Sequence, residues 1–200
     1  MMKAVTLTIG TAAALWAVAG AFAETTHQSV AGHQFDVPKD YLFDAKIAWL
    51  PAPESESFTF LFEPNRNPGQ IPEHRVLVES LADRCVNQPS ELMRVACGSE
   101  RQLIVANPEY ERRSNELGSW SSDLFIVQRN ARNGASLSQK VAYCQLFEPN
   151  PVQPEPHNLC TTVWGYKGML LQFSFNESEV NRLQGMKAQA MAMLDLWTVR

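Results

Sequence analysis

The chain has 200 residues, 45% of them hydrophobic, and its 17 basic and 21 acidic side chains give a formal net charge of −4. A chain of this length can enclose one hydrophobic core of its own. A mild acidic excess without a basic cluster argues against binding to nucleic acid or to an anionic membrane surface.

The first 23 residues have the pattern of a secretory signal peptide. Lys3 supplies a positive start, residues 4–20 form an apolar run, and Ala21 and Ala23 place small residues at the cleavage positions. We therefore predict cleavage after Ala23 and a periplasmic protein in which residues 24–200 form a single α+β domain. The next residues are polar and lack stop-transfer character, so no membrane insertion is expected after cleavage.

The first third of the exported chain contains two predicted strands. Residues 24–32 are polar, and we expect them to be frayed. Residues 33–37 alternate as a short strand that Pro38 ends. Residues 41–50 fit a helix or a strand equally well, whereas residues 57–62 are almost all apolar and predict a central strand.

The middle of the chain is less regular. Val76 and Val78 alternate with polar neighbours and predict a strand over residues 75–79. Residues 81–98 are predicted to be partly helical, with Ser90 as an N-cap and Gly98 as the stop. Residues 102–105 have a short β-like pattern. Residues 107–118 form a charged connector to which no element is assigned.

The last third predicts an antiparallel meander closed by a helix. Short connections join four apolar strands, at residues 123–128, 140–147, 159–165 and 169–175. Asn176 and Glu179 then form a capping-box pattern. One apolar stripe follows at helical spacing, consisting of Leu183, Met186, Ala190, Met193, Leu194 and Trp197. The predicted fold class is therefore α+β, with an amphipathic helix packed on an antiparallel sheet.

All four cysteines lie beyond the predicted cleavage site, where an oxidising compartment favours disulfides. Three pairings are possible, and we favour Cys85–Cys97 with Cys144–Cys160 because each closes a short local loop. Loops of that size are worth up to about 3 kcal/mol each in the chain-entropy model. The rival interpretation, a four-cysteine zinc site, lacks any C-x-x-C pair.

One stretch of the sequence occurs twice. Residues 60–74 and residues 145–157 each run an apolar strand into Leu-Phe-Glu-Pro-Asn, continue through a proline-rich loop and end at a histidine. If pseudo-twofold symmetry relates the copies, their polar side chains meet on one surface, and prolines lower the entropy that such loops lose on binding. The predicted binding residues are Glu63, Asn65, Glu73, His74, Glu148, Asn150, Glu155, His157 and Trp164.

The same residues allow a metal site and an ordinary structural explanation. His74 and His157 with neighbouring carboxylates have the donor types that bind a divalent ion. Alternatively, Glu-Pro-Asn caps a strand, and the histidine simply begins the next one. Both alternatives stay open at this point.

Signatures of common catalytic chemistry are missing. The sequence has no G-x-S-x-G elbow, no H-E-x-x-H pair and no glycine pattern for nucleotides. Disulfides use the cysteines, so a thiol nucleophile is disfavoured. We therefore predict no catalytic residue, no cofactor and no metal, and we expect a protein without enzymatic activity.

The segment from Phe35 to Tyr41, Phe-Asp-Val-Pro-Lys-Asp-Tyr, resembles one near the start of periplasmic immunity proteins of type VI secretion systems. A signal peptide and a two-disulfide α+β domain add to this resemblance. The closing meander and helix also resemble the PsbP/Mog1-like fold in outline. The first resemblance implies a protein that plugs a toxin, such as a cell-wall hydrolase or a lipase.

These observations predict a non-enzymatic periplasmic binding protein, an immunity or inhibitor protein that occludes a secreted toxin or a cell-envelope hydrolase. The alternative is a periplasmic carrier or sensor for a small ligand or a metal. A hydrolase without a recognised motif is the third hypothesis. The expected partner is a protein; nucleic acid is not expected, and the oligomeric state is open.

Overall fold

The computed structural model describes residues 24–43, 57–62, 74–86, 89–105, 108–129, 136–149 and 156–199. The predicted signal peptide and the centres of both repeated loops, residues 63–73 and 150–155, lie outside this part of the chain. The helix-or-strand prediction for residues 44–50 also lies outside it.

Nine strands and two α-helices make up the described fold. The strands are β1 (Thr25–Val30), β2 (His33–Pro38), β3 (Phe58–Leu61), β4 (Arg75–Ser80), β5 (Glu109–Ser114), β6 (Ser121–Arg129), β7 (Ser136–Phe147), β8 (His157–Tyr166) and β9 (Met169–Asn176). The helices are α1 (Leu81–Arg84) and α2 (Leu183–Trp197). Strands β1 and β2 form a hairpin, and the other seven form one antiparallel sheet in the order β3-β4-β9-β8-β7-β6-β5.

One face of the large sheet, here called the inner face, carries the core. Helix α2 reaches it through Trp197, whose ring meets that of Phe60 edge-on at 5.2 Å. The N-terminal hairpin reaches it through Phe35, which contacts Phe58 at 5.6 Å. The predicted α+β class, a helix packed on an antiparallel sheet, is confirmed.

The predicted apolar stripe of α2 faces this core. Leu183, Met186, Ala190, Leu194 and Trp197 are buried, and Met193 is half-buried. The helix is preceded by a 3₁₀ segment, Glu177–Arg182, that begins with the predicted capping box of Asn176 and Glu179. The Glu179 carboxylate accepts from the Asn176 backbone N–H at 3.4 Å, which satisfies one of the donors left free at a helix start.

The prediction that residues 24–32 are frayed was wrong. Strand β1 pairs along its whole length with β2, through a two-residue turn in which Ala31 and Gly32 have φ of 50° and 78°. Positive φ at both positions is typical of the tight type I′ hairpin turn. Glu24 is also held by Lys39, whose ammonium lies 2.6 Å from the carboxylate. Strand β1 was not predicted because its residues are mostly polar and few of its side chains are buried.

One prediction in the middle of the chain was also wrong, and one strand there was not predicted. Residues 102–105 form no strand; instead, the Gln139 side chain bonds the backbone there, accepting from Leu103 N–H at 2.8 Å and donating to Arg101 O at 2.8 Å. The connector at residues 107–118 contains β5, which pairs with β6 at the edge of the sheet. Charged side chains are common on edge strands because they discourage pairing with other chains, so this strand has no apolar alternation.

The partly helical segment is shorter than its predicted range. Among the described residues between 81 and 98, only α1 and a 3₁₀ segment, Glu91–Met93, are helical. Ser90 occupies the N-cap position without a side-chain hydrogen bond, and Gly98 has φ of 74° at the end of the turns that follow.

Both favoured disulfide pairings are present. Cys144 and Cys160 lie directly opposite each other on β7 and β8, so this bond joins the two strands of the second repeated stretch. Cys85 and Cys97 close the segment that follows α1. That segment packs on the outer face of the sheet, where a Cβ added at Gly165 would lie 3.1 Å from Ala96 O.

Within the described ranges, no helix has both the length and the apolar content needed to cross a bilayer.

Candidate binding surface at one end of the sheet

Both repeated stretches form hairpins whose loops leave the same end of the sheet. The first hairpin joins β3 to β4, with Leu61 opposite Arg75, and the second joins β7 to β8, with Phe147 opposite His157. Strand β9 runs between them, paired with β4 on one side and β8 on the other, and it ends at Asn176 on the same end. Two strand spacings of about 4.8 Å therefore separate β4 from β8, about 10 Å in all.

A third hairpin shares this end, which we call the loop end. Strand β5 finishes at Ser114 and β6 begins at Ser121, so the connection of residues 115–120 projects beside the second repeated loop. Because the sheet is antiparallel throughout, strands that finish at this end alternate with strands that start there. The loop end therefore carries three hairpin connections and the start of the segment that leads into α2.

The connection of residues 115–120 is held by a polar network. The Asn115 side-chain oxygen accepts from Leu117 N–H at 3.0 Å and from the Ser121 hydroxyl at 2.6 Å. Its amide nitrogen donates to Asp123 at 3.3 Å, and Asp123 forms an ion pair with Lys140 at 2.8 Å. Both charged side chains of that pair are largely buried. A turn with this many internal bonds is formed before any partner arrives.

Trp120 stands at the top of the same connection. Gly118 has φ of 109°, a conformation that side chains rarely adopt, and a Cβ there would lie 3.4 Å from the indole Nε1 of Trp120. The Trp120 carbonyl accepts from Leu146 N–H at 2.8 Å, which ties this turn to β7. The indole itself is 48% exposed, so a large aromatic surface faces solvent from a fixed backbone.

His74 directly precedes β4, on the inner face, and packs against the core. Its ring stacks on Phe173 at 5.8 Å and meets Phe62 edge-on at 6.4 Å. Its Nε2 lies 2.7 Å from a Glu179 carboxylate oxygen, with only 23% and 18% of the two side chains exposed. His74, at the point where the first repeated loop enters β4, therefore attaches this hairpin to the capping box that starts the helical segment.

His157 lies on the other face. Leu159 pairs with Asn176, and side chains alternate along a strand, so His157 points away from the face that holds Phe173 and His74. Its ring stacks on Phe147, its cross-strand partner, at 5.5 Å. The sheet separates the two imidazoles, and they cannot share one metal ion. Within the described ranges no group of three or more potential metal-binding side chains occurs.

The remaining predicted binding residues fall into three groups. Glu148 is exposed at the top of β7, at the loop end. Trp164 lies seven residues along β8 from His157, about 23 Å away, on the inner face against Phe173. The other five lie outside the described residues, namely Glu63, Asn65, Glu73, Asn150 and Glu155.

Trp164 lies beneath α2 in an apolar environment. Lys187 of the helix reaches over its ring, with the ammonium 5.3 Å from the ring centre, and burial lowers the pKa of that ammonium to about 8. The Trp164 indole N–H and the Thr162 hydroxyl are buried, and neither has a protein partner in the described part of the chain. Trp164 therefore packs between Phe173 and Lys187 of α2, away from the loop end.

An open cleft of about 260 Å³ lies on the inner face at the loop end, beyond the region that α2 covers. Its lining includes Arg112, Ser114, Trp120, Ser122, Leu146 and Asn158. Glu177, at the start of the 3₁₀ segment, borders it: one carboxylate oxygen lies 3.4 Å from Arg112 Nε, and the other accepts from the Asn158 amide at 2.6 Å.

The cleft was not predicted from the sequence because β5 was not. Arg112 and Ser114 come from that strand, and Trp120 from the turn after it. The available signal was the short polar stretch Asn-Glu-Leu-Gly-Ser-Trp, which precedes a clear strand. It contains a glycine, which favours a turn, and a tryptophan. Recognising it as a hairpin turn would have required a strand on its other side.

No protein-family model and no curated protein matches the chain. Among solved structures, the chain is similar to Smlt3025, an immunity protein of the Stenotrophomonas maltophilia type IV secretion system, with a TM-score of 0.47 and 8% identity. The alignment covers 89% of this chain and 94% of that one. The resemblances to type VI immunity proteins and to the PsbP/Mog1-like fold stay predictions.

Proposed function

We propose that this protein is a non-enzymatic, exported binding protein, an immunity or inhibitor protein that occludes a secreted toxin or a cell-envelope hydrolase. The observation that carries the proposal is the position of the two repeated hairpins. Their stems leave the same end of the sheet about two strand spacings apart, so one partner surface can contact both loops.

The loops have a composition suited to binding a protein. Residues 63–73 contain three prolines and residues 148–156 contain four, with glutamates near the ends of both stretches. Prolines restrict the unbound loop, so less conformational entropy is lost on docking. Glutamates near the ends of both loops complement a partner with a basic rim, and complementary charge raises the rate of encounter.

The proposed mechanism is occlusion. The two loops cover or enter the active-site cleft of the partner, with Glu63, Glu148 and Glu155 facing its basic side chains. Trp120, on its pre-formed turn beside them, is an aromatic anchor of the kind that dominates interface energies. Charged rims control association rates, whereas buried anchors control dissociation.

Export is supported by the signal-peptide pattern and by the two disulfides, which persist in oxidising compartments. The type VI system is the proposed origin of the toxin, on the strength of the resemblance around Phe35 alone. The absence of hydrolase and nucleotide motifs from the sequence supports a role without catalysis.

The test is protection of cells from a toxin. Candidate secreted effectors encoded next to the gene are directed singly to the periplasm of a host, with or without the full chain, and growth and lysis are followed. We expect one effector to kill the host and the full chain to restore growth. Purified effector and full chain should then form a complex by isothermal titration calorimetry.

Charge-reversed variants locate the contact. The triple variant Glu63→Lys, Glu148→Lys and Glu155→Lys should lose protection, because loops with reversed charge repel a basic rim. Asp83→Lys is the matched control, because Asp83 is an exposed acid just after β4, at the other end of the sheet. If the native chain protects against none of the effectors, the proposed role is wrong; if the triple variant protects as well as Asp83→Lys, the loops are not the contact.

A further inference from the structure

The cleft at the loop end combines one cation with unused hydroxyl groups. Arg112, Ser114 and Ser122 point into it from the inner face of β5 and β6, where Arg112 pairs with Leu124 and Ser114 with Ser122. Arg112 supplies the only charge among the lining side chains. Within the described ranges, neither serine hydroxyl has a hydrogen-bond partner.

The Arg112 guanidinium is only partly engaged. Glu177 is its single partner in the described part of the chain, through Nε at 3.4 Å. The same carboxylate also accepts from Asn158 at 2.6 Å, and this bond keeps it at the border of the cleft. The two terminal nitrogens of Arg112 therefore remain available as a planar pair of donors, which matches the two oxygens of a carboxylate.

The opposite wall of the cleft is apolar. The Trp120 indole is 48% exposed and Leu146 is 39% exposed, and the backbone bond between these two residues fixes their spacing. A site that combines an exposed apolar wall with a polar floor can hold an apolar group and a polar group of the same ligand. A volume of about 260 Å³ has room for one or two side chains.

We propose that this cleft binds an acidic side chain carried on a polypeptide, with the carboxylate on Arg112, Ser114 and Ser122 and the preceding apolar residue against Trp120 and Leu146. The inference rests on the proposed function in that the polypeptide is a segment of the occluded partner. The partner then has two contacts of opposite charge. Its basic side chains face the glutamates of the loops, and one of its acidic side chains enters this cleft.

The test uses two peptides that differ only in charge. Acetyl-Gly-Leu-Glu-Gly-amide and its glutamine counterpart are titrated into the ¹⁵N-labelled, oxidised full chain, and backbone and indole signals are followed by NMR. We expect the glutamate peptide to shift the signals of Trp120, Ser122 and Asn158 with millimolar affinity. The glutamine peptide should bind about two- to fivefold more weakly, the loss expected for one exposed ion pair.

Arg112→Gln should abolish the difference between the two peptides, and Arg112→Lys should keep part of it because the charge remains but the planar fork is lost. Arg113→Gln is the matched control. Arg113 is the next residue of the same strand, but it points to the outer face, where its guanidinium lies 4.3 Å over the Phe125 ring. That variant should bind as the native chain does. Unchanged dispersion of the other NMR signals shows that each variant is folded.

Three results would overturn the inference: equal affinity for the two peptides, full retention of the difference in Arg112→Gln, or acetate binding as tightly as the glutamate peptide. Each of them leaves the toxin-protection test unaffected. Conversely, a chain that protects against no toxin but distinguishes the peptides through Arg112 keeps this site and loses the proposed role.

Discussion

The two repeated hairpins share the sequence Leu-Phe-Glu-Pro-Asn, and its first two residues lie in different environments in the two copies. In the first hairpin, Leu61 is 1% exposed and Phe62 packs on Phe173 at 5.1 Å. In the second, Leu146 is 39% exposed and Phe147 is 41% exposed. The second hairpin thus exposes a leucine and a phenylalanine whose counterparts in the first hairpin are buried and half-buried, respectively.

The sheet order explains the difference between the two phenylalanines. The hairpins flank β9 in the order β3-β4-β9-β8-β7, so the operation that relates them is a rotation about the β9 direction, which exchanges the two faces of the sheet. Phe62 therefore lies on the inner face against Phe60 and Phe173, whereas Phe147 lies on the outer face. Core packing holds the first hairpin, and the Cys144–Cys160 disulfide joins the strands of the second. A repeated sequence does not imply a repeated environment.

Removal of the Cys144–Cys160 disulfide should produce the largest difference in stability between the two hairpins. The bond closes a loop of 16 residues between strands that carry little core at their tops. Replacing Cys144 and Cys160 by alanine should lower the free energy of unfolding by about 3 kcal/mol. Urea unfolding followed by fluorescence measures this change. The first hairpin should keep its protection from hydrogen exchange, and equal loss of protection in both hairpins would contradict the division of roles.

Truncation of the two equivalent phenylalanines, Phe62 and Phe147, should produce the next largest difference in stability. Phe62→Ala removes contacts with Phe60, His74 and Phe173 and should lower the free energy of unfolding by about 2 to 3 kcal/mol. Phe147→Ala, at an exposed position, should cost less than about 1 kcal/mol. Thermal or urea unfolding of the two variants side by side tests this. Equal costs would show that exposure does not distinguish the two copies.

The helical cover over the inner face should weaken at lower pH. Burial lowers the pKa of Lys187 to about 8, whereas an unfolded lysine titrates near 10.4. Between these values the unfolded chain binds more protons, so the free energy of unfolding rises with pH. We expect a rise of about 2 kcal/mol from about pH 7.5 to about pH 10.

Lys187→Met is the matched variant, because methionine has a similar length and no charge. It should remove this rise and should stabilise the chain near neutral pH. Denaturant unfolding at a series of pH values compares the two proteins. Parallel curves for the native chain and the variant would show that Lys187 does not carry the effect.

The smallest predicted effect concerns the link between the first hairpin and the start of the helical segment. His74 and Glu179 are 2.7 Å apart and mostly buried, so they should be energetically coupled. A double-mutant cycle with His74→Gln and Glu179→Gln should give a coupling energy of about 1 kcal/mol. Glu179 also pairs with Arg182, and the cycle removes that contribution. A coupling within experimental error of zero would show that the two residues act independently.

Local signals in the sequence were sufficient for much of the fold. The apolar strands of the last third, the capping box at Asn176, the stripe on α2 and both disulfide pairings follow from short-range pattern and loop length. Strands β1 and β5 escaped prediction because little of their own side-chain surface is buried. Their strand pairing is made by backbone groups, which every sequence possesses.

What only the tertiary structure decided is where these elements meet. The sequence contained two similar loops, but nothing in it showed that β9 would lie between their hairpins and bring both to one end of the sheet. Nor could it show that His74 and His157 would lie on opposite faces, because the face that a side chain occupies depends on strand register. Register is set by pairing between strands far apart in the chain, which is also what brings Arg112, Trp120 and Leu146 to one cleft.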